Sequence, residues 1–513
     1  MVLRCLTSMR PVLVGFVCGS AYCRAAPEIG DWWLAPLSLV PILCMIASTR
    51  IDARQTALAG ITFYLTWTIP MFDWMRTASI DVMQAGPAVS IGASVVTSSL
   101  FTLAFVTCQS LHRHGWAFCV AWPTTCLAAE ELLDAALRLT CWTTVESMRL
   151  AVTQVNGSPI AQLGSVGGGP LVTWVTAAFA GLIGDVVISN SHAKRLPGMW
   201  WAVGVACVGS VASGTRPHDA ADAPCLRIAV IPRVAADSSD IAHVQRNIAA
   251  LDRVDLVVWP ESAILNRAID ADDRRAVAEL HDPDAAVPVL IGSQRYSARP
   301  AGLYNSALLC ANGLCIGFVD KRFPCPMLEC RPPVARWCGI TSSIEFERAR
   351  NPQLLQLPSS PELGIGVGIC HDVCFPEWSS DIASSAKVLL HISNEGLARS
   401  GSASLRASAC ARLRAIESGR TIVRCALDGQ SAVIDRFGRI TACADDPAQK
   451  SGLTIFEAQM YSQPTLYNIV GARSAYAIAL FAAIAMALLR SGSHIRFREV
   501  TTVAGHFIKG PKL

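Results

Sequence analysis

Charge is scarce in this chain. Asp, Glu, Lys and Arg make up only 16% of its 513 residues, and the mean hydropathy is +0.39. A balance so far towards apolar side chains argues against a freely soluble protein and for one that meets a bilayer. The net charge is only +4, from 43 basic and 39 acidic residues, and the basic ones are dispersed. No basic patch is present, so a nucleic-acid partner is not expected. The run of Cys310, Cys315, Cys325, Cys330 and Cys338 contains no CxxC pair and no neighbouring His cluster, which argues against a zinc site. Internal repeats and low-complexity tracts are absent, and neither a metal nor another cofactor is expected.

Cysteine, by contrast, is plentiful, with 20 in all. Nine precede residue 210, mostly inside apolar runs where the thiol acts as a small hydrophobe. The other eleven begin at Cys225. If that half faces an oxidising space, one or two disulfides are compatible with the count. Their pairing is not legible.

Residues 1–213 are dominated by apolar runs, marked as spans near 11–24, 33–48, 56–72, 88–107, 116–130, 168–190 and 197–213. The first also reads as a signal sequence, with Arg4 and Arg10 ahead of a short apolar core. Loop charge alternates. Arg4 and Arg10, then Arg50 and Arg54, then Arg113, then Lys194 and Arg195 occupy every second loop, and the intervening loops are acidic or mixed. That alternation follows the positive-inside rule and predicts seven crossings that leave residue 214 outside the cytoplasm. A last apolar run, 475–489, brings the chain back to a basic tail. The expected organisation is a membrane domain over 1–213, a polar linker over 214–224, a soluble α/β domain over 225–465, a C-terminal transmembrane helix over 473–490 and a cytoplasmic tail over 491–513. Within the α/β domain, strand-like runs recur at 226–232, 254–259, 287–292, 303–310, 314–319, 363–369, 386–392 and 421–427. Helical stretches lie near 240–251, 271–281 and 402–419, and a hairpin joins 431–434 to 440–442.

Three of these runs deliver reactive groups. Leu363–Ile369 ends at Cys370, 314–319 runs into Asp320-Lys321, and 254–259 leads into Pro260-Glu261. A carboxylate, an ammonium and a thiol, each at the tip of its own strand, are the parts of a thiol acyl-transfer site. A free thiol titrates near ~8.5 and needs a base or a cation to act as a nucleophile. Buried beside Trp259 and Pro260, Glu261 is the candidate base. Lys321 is the candidate for favouring the thiolate and stabilising an oxyanion. Each residue also has a plain reading. Cys370 can be core, Lys321 with Arg322 can be a solvated basic pair, and Glu261 can open a loop or helix.

The segments VVWPES (257–262), YNSALL (304–309), VDKRFPCPMLE (319–329) and GVGICHDVCFPE (366–377) resemble the nitrilase superfamily. Together with the apolar spans, SPIAQLGSVGGGPLVTWV (158–175) and the stretch 411–440, they resemble its membrane-embedded branch, the apolipoprotein N-acyltransferases. The resemblance implies a multi-span α-helical bundle carrying an extracytoplasmic α/β domain, an αββα sandwich of nitrilase type. It implies Cys370 as nucleophile, Glu261 as general base, Lys321 as oxyanion stabiliser and Glu329 as a supporting glutamate. Its implied reaction moves an acyl chain from a phospholipid through a thioester on Cys370 to the N-terminal amine of a diacylglyceryl-cysteine apolipoprotein. Its implied setting is the bacterial cytoplasmic membrane, with the catalytic domain on the periplasmic side, and nothing suggests an obligate protein partner beyond a monomer. Two alternatives stay open, a membrane-tethered nitrilase-type amidase and a non-catalytic lipid- or lipoprotein-binding relative. The chain departs from the family's Cys-Tyr-Glu with Cys370-His371-Asp372, and from its Asn-Asp-Ala-Trp-Phe with Asn394-Glu395-Gly396-Leu397-Ala398.

Overall fold

The computed structural model describes residues 2–75, 88–188, 224–235, 240, 241, 243, 244, 253–264, 268–270, 273, 280, 281, 287–298, 301–340, 344–396, 401–444 and 453–471. The expected seventh span, most of the linker, most of the helical stretches near 240–251 and 271–281, the C-terminal helix and the tail lie outside the described residues.

The N-terminal part is helical, with α1 (Val2–Cys23), α2 (Leu34–Ile46), α3 (Ala53–Met71), α4 (Ala88–Arg113), α5 (Phe118–Thr140) and the bent α6 (Gly164–Ile188). These coincide with the six apolar runs read before residue 190. Helix α3 starts where Asp52 accepts the Gln55 N–H at 2.8 Å and Gln55 accepts the Asp52 N–H at 3.1 Å, which satisfies two donors that a helix start leaves orphaned. Among the described residues, two helices are long and apolar enough to cross a membrane, Val89–Arg113 and Pro159–Ile188, while Arg10–Cys23 and Leu34–Ile46 are shorter apolar helices. Helix α5 is interrupted by Glu130, Glu131, Asp134 and Arg138, so the apolar run noted at 116–130 stops half-way along it. The helices pack through an aromatic cluster in which Tyr22, Phe63, Tyr64, Trp67 and Phe105 meet at centroid distances of 4.9–6.4 Å.

From residue 225 the chain builds two facing sheets. The first runs in the order β13 (Thr454–Gln459), β1 (Cys225–Val230), β2 (Leu256–Val258), β4 (Val289–Ala298), β5 (Ala301–Ala311), β6 (Leu314–Asp320), with β3 (Ala268–Asp270) paired to β4. The second runs β12 (Ile440–Cys443), β11 (Ala432–Ile434), β10 (Thr421–Leu427), β9 (Ala386–Asn394), β8 (Ser360–Ile369), β7 (Leu354–Leu357). The eight expected strands and the hairpin are all present, and the short strands β3, β7 and β13 are additional.

Period-two alternation sorts the side chains of each strand. Ile228 and Val230 of β1 join Ile365, Val367 and Ile369 of β8 and Val388, Leu390 and Ile392 of β9 in one core between the sheets. Ala229 and Ile231 turn the other way, onto Ile241, Val244 and Leu280. After the short α7 (Pro333–Trp337), α8 (Pro376–Ile382) and α9 (Gly401–Ser418) cover the far side of the second sheet through Trp378, Ile382, Ala411 and Ala415. Each fully buried Leu, Ile or Val contributes roughly 1.5–3 kcal/mol, so this shared layer is the main support of the site's framework.

Two glycine positions set the geometry near the site. A Cβ at Gly368 would lie 2.3 Å from the Trp378 ring, so only glycine lets α8 rest directly on the end of β8. A Cβ at Gly292 would lie 2.2 Å from the Pro260 carbonyl and 2.6 Å from the Glu261 Cα, so β4 leaves room for the Glu261 turn to cross it.

Candidate functional site

Strands β1, β2 and β4 are mutually parallel, and β6 regains their direction through two antiparallel pairings. Strands β8, β9 and β10 are parallel as well. Lys321 follows the last residue of β6 and Cys370 that of β8. Strand β2 stops at Val258, three residues before Glu261. That is earlier than the run 254–259 suggested, because Pro260 has no N–H to give to a ladder.

The structure gathers Glu261, Lys321 and Glu329. The Lys321 ammonium, 1% exposed, lies 2.9 Å from Glu261 Oε1 and 2.7 Å from Glu329 Oε2. The reading of Lys321–Arg322 as a solvated pair therefore does not hold for Lys321, whereas Arg322 pairs with the partly exposed Asp381 at 2.9 Å. Asn305 Nδ2 donates to both carboxylates, to Glu261 Oε1 at 2.7 Å and Glu329 Oε1 at 2.6 Å. Backbone donors complete the set. Asn394 N–H reaches Glu261 Oε2 at 2.7 Å, and Cys325 N–H reaches Glu329 Oε2 at 2.6 Å. Buried carboxylates held this way are fixed in place, as a positioned acid or base must be.

Electrostatics link Cys370 to this cluster. Burial and the Glu261 charge push its thiol well above the usual value, against the pull of Lys321. Burial alone would depress the Lys321 ammonium, but the charges of Cys370, Glu261 and Glu329 hold it well above its ordinary value. Burial raises the Glu329 carboxyl, and Lys321 with the Cys325 N–H outweighs that and holds it below normal. Burial therefore favours the protonated thiol, and the Lys321 ammonium favours the thiolate. The thiol in such a site ionises as it attacks, with a neighbouring base to receive its proton.

The turn after β8 is held from several directions. Cys370 has φ +50°, in the left-handed region, and Ser262 just after Glu261 has φ +57°. Asp372 accepts the Ile369 N–H at 2.9 Å and the Phe323 N–H at 2.8 Å. Burial pushes its carboxyl up to about 6. His371 lies between the Phe323 carbonyl, 3.3 Å from Nδ1, and Thr143 Oγ1 of the helical part, 3.0 Å from Nε2. Burial and Lys321 push its imidazole down to about 4, so it is neutral at physiological pH.

Sequence reasoning missed three contributors, Asn305, the Asn394 N–H and His391. Asn305 and His391 did carry a signal, since each is a polar residue inside an otherwise apolar strand, where it must find a partner. No disulfide joins two of the described cysteines, and no cluster of metal-ligating groups occurs among the described residues.

Residues 18–182 match the profile of the apolipoprotein N-acyltransferase N-terminal domain. This chain is similar, at the level of family, to the apolipoprotein N-acyltransferases. It is 30% identical over 193 residues to the apolipoprotein N-acyltransferase of Azotobacter vinelandii, covering 37% of each chain. It is 28% identical over 351 residues to that of Pseudomonas putida, covering 62% of this chain and 65% of the relative. The matches thus span between about a third and two thirds of these relatives' length. Among solved structures, an amidase from Nesterenkonia sp. aligns over 49% of this chain and 95% of its own, at 16% identity and a TM-score of 0.35.

Proposed function

We propose that this protein transfers an acyl chain from a phospholipid to the N-terminal amine of a diacylglyceryl-cysteine apolipoprotein, through a thioester on Cys370. The observation that carries this reading is the buried Glu261–Lys321–Glu329 cluster electrostatically coupled to Cys370, on a domain packed against apolar helices.

In the first half-reaction, Glu261 takes the thiol proton as sulfur attacks the phospholipid ester. A C–S bond forms, the C–O bond breaks, and the lysophospholipid alkoxide leaves with the proton held by Glu261. In the second, the acceptor amine attacks the thioester. A C–N bond forms, the C–S bond breaks, and the amine proton passes through Glu261 back to sulfur. Lys321 stabilises the oxyanion in both halves. Glu329 and Asn305 hold Lys321 and Glu261 in register. His371, neutral at physiological pH, is left out of the proton path.

Both substrates are lipid-anchored, so the site must be held at a bilayer. Outward-facing Leu13, Phe16 and Val17 on α1, and Ile91, Val95, Val96 and Leu103 on α4, are exposed apolar side chains suited to lipid. The runs 197–213 and 475–489 would complete a multi-span anchor in the bacterial cytoplasmic membrane with the catalytic domain outside the cytoplasm. This reading keeps the domain limits 1–213, 225–465 and 473–490.

The test uses full-length protein in detergent micelles and a phospholipid with a labelled acyl chain. A hydroxylamine-labile label on the Cys370 peptide, absent in Cys370→Ala, is expected. An unlabelled wild-type protein, or a label that persists in Cys370→Ala, would overturn the proposal. Release of ammonia from small amides without lipid labelling would favour an amidase instead.

A further inference from the structure

His391 lies in the middle of the apolar run of β9 and is fully buried, and its role is not obvious from the chemistry above. It stands beside β8, in register with Gly368, two residues before Cys370. Its Nε2 lies 2.8 Å from the Cys370 carbonyl oxygen. A carbonyl only accepts, so Nε2 carries the hydrogen and Nδ1 is the bare nitrogen. Burial, and after it the charge of Arg424, the register partner of His391 on β10, disfavour a second proton on the ring.

The bond matters because of where the carbonyl sits. Cys370 adopts φ +50°, a conformation that L residues other than glycine, Asn and Asp seldom hold without outside restraint. Asp372 ties down its neighbours through Ile369 and Phe323. Cys370 also opens a short 3-10 turn (Cys370–Cys374), and His391 adds a side-chain restraint on the carbonyl of residue 370 itself. The Trp378 ring, whose centroid lies 6.1 Å from that of His391, packs close against Gly368. Trp378 Nε1 and His391 Nδ1 are both buried and lack hydrogen-bond partners.

We propose that His391 is a positioning residue for the thiol, its Nε2–H fixing the Cys370 carbonyl and so keeping the sulfur-bearing residue in its left-handed turn. The proposal rests on Cys370 being the reactive thiol of the function proposed above. It assigns no proton transfer to His391. The ring acts through the backbone, and its loss would let residue 370 relax towards negative φ and swing the sulfur out of the reach of Glu261 and Lys321.

Two side chains separate this role from space filling. His391→Gln keeps an N–H donor at nearly the distance of Nε2. His391→Leu fills the site without one. Full-length protein in detergent is treated with iodoacetamide, and the alkylation rate of the Cys370 peptide is read by mass spectrometry beside phospholipid labelling. Loss of one buried hydrogen bond predicts a roughly tenfold slower alkylation in His391→Leu, and recovery to within about threefold in His391→Gln. A folded Leu variant that reacts at the wild-type rate overturns the proposal. Equal slowing of Leu and Gln also overturns it, since His391 would then only pack. If His391→Leu cannot be purified folded, His391→Met takes its place in the same comparison. Iodoacetamide needs no lipid, so a Leu-slow, Gln-restored pattern without any lipid label would sink the proposed function and leave the role of His391 standing.

Discussion

Replacing Lys321 by Met tests whether the central cluster carries the charges assigned to it. Met has a similar length and lacks the ammonium. In the native site that ammonium serves two carboxylates, at 2.9 and 2.7 Å, inside a pocket where Lys321 is 1% exposed. Each pair is worth about 6 kcal/mol of gross Coulomb energy at an effective dielectric of 20, most of it offset by desolvation. Removing one partner of a buried pair costs about 3–5 kcal/mol because the other charge stays buried. Here two carboxylates would be left facing each other across the single Asn305 amide, so the upper end is expected, a fall in unfolding temperature of order 10 °C. The pH dependence discriminates further. In the wild type Glu329 is held below its usual value, so its contribution to stability is present above the unfolded value, about 4.3, and is lost only as pH falls through the folded one. Without Lys321, burial dominates and the folded value rises above the unfolded one. Stability is then present in acid and is lost as pH climbs. Tryptophan-fluorescence melting in detergent at pH 5, 6, 7 and 8 should show the gap between variant and wild type widening with pH. A gap of constant size, or no gap, would refute the charge assignment. Thioester formation in the variant should fall by roughly 10²–10³ if Lys321 stabilises the oxyanion.

Arg414→Met should lower stability by about 3–5 kcal/mol, because Arg414, 1% exposed, is paired with Glu146 at 2.9 Å and with Glu417 at 3.1 Å; thermal melting checks this, and Arg414→Lys should recover part of the loss. Asp372, pushed up to about 6 by burial, is costly to keep ionised. Its neutral form is favoured below the unfolded value of about 3.9, and that contribution is lost as pH rises through 6. The wild type should therefore lose melting temperature between pH 5 and 7.5 relative to Asp372→Asn, and parallel curves would count against it.

How much of this was readable beforehand depended on the kind of information. The apolar runs ending at Cys370 and Lys321 placed both residues correctly, because a strand's end and its hydrophobic pattern are local properties. Glu329 was legible only through the resemblance, because nothing local distinguishes it from a surface acid. Asn305 and the Asn394 N–H were not assigned, since their roles exist only once β5 and β9 lie beside the Glu261 turn. His391 was missed for the same reason, its partner lying 21 residues away on a neighbouring strand. The sequence shows the departures at His371 and Asp372 but not the contacts that these residues make. Asp372 accepts two backbone N–H groups despite being one methylene shorter than Glu, because the turn at Cys370 brings Ile369 and Phe323 to it.

The same turn explains why the two halves of the molecule must be treated together. One side of the Cys370 segment is anchored in the sheets through Ile369 and His391. The other side meets the helical part. His371 contacts Thr143, and Glu377, seven residues beyond Cys370, pairs with Arg138 at 2.8 Å. Behind this lies a buried ladder of charge that crosses the junction. Arg149 meets Glu130, Glu131 and Glu146, Glu146 meets Arg414, Arg414 meets Glu417, and Glu417 accepts the Gly169 N–H at the bend of α6. Buried pairs of this kind add little net stability compared with apolar packing, but a displaced one leaves an uncompensated charge. The ladder therefore penalises any shift of α9 against α5 and α6 more than apolar contacts would. Since α9 and α8 cover the sheet that presents Cys370, the orientation of the thiol relative to the apolar helices is fixed by the same groups. Under the function proposed above, a thiol that meets lipid substrates at a surface needs that orientation as much as it needs its base.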